Sequence, residues 1–149
     1  MYVYLALKYI HILAAIVAVG TNITYGVWNM RARSDPSHTS FALKGLKFLD
    51  NRIANPAYGV LLLTGLLMAL GVGFLHVWII VALVLFAALV VVGVGFFTPL
   101  LRNQIKLADA GETSSPEFER LARRSAIAGP ATGLIVLLIL VMMVFKPGS

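Results

Sequence analysis

The sequence predicts an all-α membrane protein: a four-transmembrane-helix bundle made of two similar helical hairpins. Three observations carry that prediction. The apolar runs are long enough to cross a bilayer, the charges gather in two stretches between those runs, and one short motif occurs twice at matching places. Hydrophobic residues make up 60% of the chain and charged residues only 12%, against roughly a quarter charged in a soluble domain. The mean hydropathy is +0.91.

The first element is "YLALKYIHILAAIVAVGTNITYGVWN", residues 4 to 29. It has no basic segment before it, and its apolar character continues past Gly20 to Trp28. It therefore reads as a retained helix rather than a signal peptide. Ile53 to Leu75, Trp78 to Leu101 and Ile127 to Phe145 contain no Asp, Glu, Lys or Arg, and each is near the ~20 residues that span hydrocarbon. Four spans and two modest loops account for residues 1–149 as a single membrane domain, with repeat halves at about 1–75 and 76–149.

The first loop, Arg31 to Arg52, carries Arg31, Arg33, Lys44, Lys47 and Arg52. The second, after Leu101, carries Arg102, Lys106, Arg120, Arg123 and Arg124. The positive-inside rule then places both loops in the cytoplasm and both termini outside. The net charge of +6 follows from this topology and does not call for a nucleic-acid partner. All six acidic residues fall in the same two loops, so the membrane interior is expected to hold no carboxylate relay. With no cysteine, disulfides, thiolate metal sites and thiol catalysis are excluded.

Inside the loops, "SFALKGLKFL" is basic and apolar, which suits either a segment lying on the inner membrane surface or a solvated linker. "SSPEFERLARR" begins a helix, with Ser115 as cap and Pro116 at the first position. That helix is expected to run into the fourth span, with an interruption near Gly129-Pro130.

The repeated motif is "RIANPAYGVLLL" at 52–63 and "SAIAGPATGLIVLL" at 125–138, sharing I-A-x-P-A-x-G at an offset of 74. Two spans per copy relate the halves by an axis along the membrane normal. The small faces at Gly129 and Gly133, and at Asn55 and Gly59, are expected to make the closest helix contacts. Thr64 and Thr132 are expected to return their hydroxyls to their own helix backbones.

On the first span, Tyr4, Lys8, His11, Ala15, Ala18, Asn22, Tyr25 and Asn29 follow one another at spacings of 4 and 3, a single helical stripe. Its inner half reads as interhelical glue, with Asn22, Tyr25 and Asn29 reaching towards Asn55 or Tyr58. Its outer half carries His11, roughly 12 Å along the helix at ~1.5 Å per residue. An imidazole at that depth is either a packed residue or a ligand. As a ligand it suits heme iron, with Ala15 and Ala18 leaving room beneath and His76 as a second candidate in the same leaflet. Copper is the weaker alternative, drawn from His11 with Met68, because thioether and imidazole suit Cu(I).

"LKYIHILAAIVAVG", "ALVLFAALVVVGVGFFTPLLRNQIKLA" and the closing "SPEFERLARRSA…VMMVFKPG" resemble a bacterial predicted integral membrane family, domain of unknown function twenty-two sixty-nine. That resemblance implies architecture, not a reaction. More distantly, "KYIHI" is similar to the first span of small four-span heme proteins, including the bacterial membrane protoporphyrinogen oxidase, and of copper-resistance D-type membrane domains. The likeness implies a functional role for His11. The oxidase also uses a lysine in its third span, where this chain has only Trp78, apolar residues, glycines and Thr98.

Two functional classes follow. One is a membrane protein binding heme b or a metal, with a redox or sensing role. The other is a non-catalytic structural or assembly subunit of a homo-oligomer or larger membrane complex, using the stripe for packing.

Overall fold

A computed structural model describes all residues, Met1–Ser149. The chain forms α1 (Tyr2–Ser34), a 3-10 turn (Pro36–His38), α2 (Thr39–Leu49), a π-helical segment (Asp50–Ala54) and α3 (Asn55–Val72). A turn at Gly73 (φ 101°) leads into α4 (Val77–Val90), a second π-helical segment (Val91–Phe97), α5 (Thr98–Asp109) and α6 (Pro116–Phe145). Four continuous rods result: Tyr2–Ser34, Pro36–Val72, Val77–Asp109 and Pro116–Phe145, each long and apolar enough to cross a membrane. They are 30 to 37 residues long, so each extends at least ~10 residues beyond what the hydrocarbon requires.

Local chemistry explains the breaks. Ser115 Oγ accepts from the Phe118 N–H at 3.2 Å and Pro116 opens α6, as the sequence predicts. Each π segment is followed two residues on by a proline, Pro56 or Pro99. A proline ring in a helix collides with the carbonyl four residues back and leaves it without a donor. The widened turn takes up that misfit without ending the rod. α6, by contrast, passes through Pro130 as one helix, so the expected interruption there is absent.

α1 packs along α3 and α4 along α6, while α2 crosses to meet α1 and α5. This corrects the reading of residues 31–52 as a loop. "SFALKGLKFL" is neither a linker nor a surface segment but an amphipathic helix continuous with the second span. It buries Thr39, Ala42, Leu43 and Leu46. The core sits there, at the charge-bearing end: Tyr25, Ala32, Ala42, Leu43, Leu46, Ala54, Phe97, Leu101, Ile105 and Ala128 form one buried cluster. Leu43 and Leu46 of this cluster lie in the charged stretch outside the apolar runs, where the ordinary aqueous hydrophobic effect acts, and burying either contributes about 1.5–3 kcal/mol. Lys44 ties α2 to α5 through Asp109 at 3.0 Å, and Ser40 bonds the same carboxylate.

The tight glycine contacts also differ from expectation. No atom lies within 4 Å of a Cβ built on Gly59 or Gly133, and Gly129 meets only Phe97, at 3.8 Å. The close approaches are Gly45, 2.9 Å from the Trp28 ring, and Gly65, 3.2 Å from the His11 ring. A small-xxx-small pattern permits close approach but does not say which side of the helix meets a neighbour.

Candidate functional site

Towards its N-terminal end α1 lies against α3, where His11 and Thr64 face each other. His11 Nδ1 is 2.8 Å from Thr64 Oγ1. Thr64 Oγ1 also donates back to the Val60 carbonyl at 2.6 Å, the expected return to its own helix. Thr132 does likewise to Gly129 at 2.6 Å. A hydroxyl has one proton. Once Thr64 gives that proton to Val60, its oxygen can only accept from His11, so Nδ1 carries the hydrogen. In the neutral ring the lone pair then sits on Nε2. Gly65 closes on the Cε1 edge, where a larger side chain would push the ring away. His11 is half-buried.

The other candidates lie apart from this arrangement. His76 is the residue before α4 and stacks on Trp78, ring centroids 6.4 Å apart. Lys146 caps the end of α6 with its ammonium 5.3 Å from the same Trp78 ring. Met68 is half-buried on α3, one turn beyond Thr64 and on the same face. No three His, Cys, Asp or Glu side chains come together to hold a metal ion. Beneath His11, Ala18 is buried to 1% exposure, so its position is filled by helix packing.

The inner half of the stripe forms a second polar group. Asn22 bonds the Tyr58 hydroxyl across to α3, as the glue reading expects. Asn29 instead bonds the Tyr25 carbonyl of its own helix, at 3.1 Å. Tyr25 donates to Asp50 Oδ1 at 2.8 Å, and Thr98 Oγ1 lies 3.4 Å from Asp50 Oδ2. Asp50 is 7% exposed and takes part in none of the three ion pairs. This corrects the expectation that every carboxylate lies in a solvated loop: one is buried where α1, α3 and α5 converge. Its sequence neighbours Asn51 and Arg52 made it look solvated. The available signal was its place on a buried helical stripe, Leu43, Leu46, Asp50, Ala54, Ala57.

A family model described as a predicted integral membrane protein (DUF2269) matches residues 5–147. The chain belongs to this family. No curated protein and no solved structure matches it. Membership therefore supplies a membrane architecture for the DUF2269 chain without a reaction, and the more distant likeness to heme and copper-resistance proteins rests on "KYIHI".

Proposed function

We propose that the protein holds a b-type heme in the outer half of the bundle through His11 Nε2, in a redox or sensing role. The observation that carries this reading is the 2.8 Å contact of His11 Nδ1 with Thr64 Oγ1: with the Thr64 hydroxyl donating to Val60, the ring hydrogen belongs on Nδ1 and Nε2 is left as the donor a metal requires. Orientation of a ligating histidine through its second nitrogen is the usual supporting arrangement. Heme fits this donor set better than a bare ion does. Copper would need several protein ligands, here His11 with Met68, and no group of three His, Cys, Asp or Glu adds to them. A porphyrin brings four nitrogens of its own and asks the protein for one or two axial donors.

When bound, a heme supplies one-electron chemistry or small-ligand binding. The chain's part is to fix the imidazole: Thr64 holds the Nδ1 proton, Gly65 permits the ring to lie against α3, and the apolar flanks limit water. In the same reading the basic end faces the cytoplasm of a bacterial inner membrane with both termini outside, supported by ten basic residues in the two charged stretches.

The test is an absorption spectrum of detergent-purified protein from heme-sufficient cells, followed by hemin titration. A Soret band is expected, lost in His11→Ala and shifted in Thr64→Val, with helix content unchanged by circular dichroism. A colourless preparation that also fails to take up hemin would refute the proposal, leaving the packing-subunit reading in its place.

A further inference from the structure

A groove of about 820 Å³ separates α1 from α6 towards the charge-bearing end. Its walls are mostly apolar or small, with Ile23, Gly26 and Met30 on α1 facing Gly129, Gly133 and Leu137 on α6. A second cavity of about 460 Å³ lies nearer that end of the bundle and shares Asn29 and Arg33 with the groove. Its lining is polar, including Gln104, Thr113, Ser114, Glu119 and Arg123. Sharing Asn29 and Arg33, the spaces adjoin as an amphipathic channel, mostly apolar along the spans and more polar at the charged end.

Two buried side chains on its walls lack partners. Ser125 is 2% exposed and Gln104 3%, and neither Ser125 Oγ nor Gln104 Oε1 has a hydrogen bond. Leaving such atoms unpaired in a folded protein is costly. Ser125 lines the groove and Gln104 the end cavity, so one ligand extending along both would reach each of them. Arg33, where the spaces join, takes part in none of the three ion pairs. The cation of Arg123 is already held by Glu119 at 3.0 Å.

We infer that this channel binds one anionic glycerophospholipid from the leaflet at the charged end, its acyl chain in the groove and its head at Arg33. The required chemistry follows from the unmatched groups. Arg33 calls for an anionic oxygen and is suited to phosphate. The Ser125 hydroxyl can donate to the same head, and the Gln104 carbonyl needs a donor. A phosphate diester carrying a free polyol, as in phosphatidylglycerol, meets all three requirements. The phosphate of phosphatidylcholine is balanced by its own choline cation, and that head has no hydroxyl donor.

The test is native mass spectrometry of delipidated full-length protein titrated with phosphatidylglycerol or phosphatidylcholine. One phosphatidylglycerol per chain should bind about tenfold more tightly than phosphatidylcholine, the effect of one charge-assisted contact. Arg33→Gln should remove that preference, and Arg31→Gln, a basic residue on the same helix outside the channel, should keep it. Gly133→Leu should weaken both lipids by filling the groove without lowering the lipid-free melting temperature. Equal binding of the two lipids by the natural chain would overturn the inference. So would equal losses in Arg33→Gln and Arg31→Gln, which would indicate a diffuse basic surface. Undiminished binding in Gly133→Leu would place the lipid elsewhere.

Discussion

Replacing Tyr25 with phenylalanine isolates the strongest polar contact between the helices. The Tyr25 ring is 6% exposed and lies parallel to Phe97, centroids 5.6 Å apart and planes within 7°. Phenylalanine keeps that stacking and removes only the hydroxyl. The hydroxyl donates to Asp50 at 2.8 Å; Thr98 and Asn55 also bond this carboxylate, Thr98 weakly. Thr98 lies 3.4 Å away and its single proton is drawn to the Gly93 carbonyl at 3.1 Å. Tyr25→Phe therefore removes the 2.8 Å donor of a buried carboxylate. A hydrogen bond to a charged group contributes about 1.5–3 kcal/mol, and a chain of this size shifts about 2–4 °C per kcal/mol. The melting temperature in detergent, followed by circular dichroism, should fall by roughly 3–12 °C. Removing the acid as well removes the group that lost this donor, so Tyr25→Phe with Asp50→Leu should recover most of the loss. A Tyr25→Phe melt within about 1 °C of the natural protein would refute the reasoning, as would single losses that add in the double variant.

Two glycines should respond to alanine with opposite signs. Alanine favours a helix interior over glycine by about 1 kcal/mol; Gly133→Ala, with no atom within 4 Å of the new carbon, should show that gain as a raised melting temperature. Gly45→Ala places its methyl 2.9 Å from Trp28, where overpacking costs about 1–3 kcal/mol, and should melt lower; shifts of the same sign would overturn the contact assignment. Outside the spans, the Asp35 carboxyl is held below the ordinary aspartate range, first by the Ser37 hydroxyl and then by His38. Its contribution is fully present above the unfolded value of ~3.9 and is lost as pH falls through the lowered one. Ser37→Ala should raise the Asp35 midpoint in a carbon-detected NMR titration, and an unmoved midpoint would refute the assignment.

Hydrocarbon tolerates very few backbone solutions, so apolar run length alone determined four helices, though not where they end. The cap at Ser115-Pro116 and the Asn22–Tyr58 bond were legible for a similar reason. The first needs only residues adjacent in sequence, and the second only a stripe of matching period and depth. What the tertiary structure decided is how each rod is turned about its axis and what it then meets. The motif glycines Gly59 and Gly133 are both left open while Gly65, outside the motif, packs on the His11 ring, because the neighbouring helices, not the motif, choose the face. Asp50 reads as solvated beside Arg52, yet the rod carries through the π segment at Asp50–Ala54 and turns it onto Tyr25. The proton on His11 Nδ1 depends on Thr64, 53 residues away, and on the carbonyl to which Thr64 has already committed its own hydrogen. Period and polarity belong to the chain, whereas rotation and partner exist only once the helices are assembled.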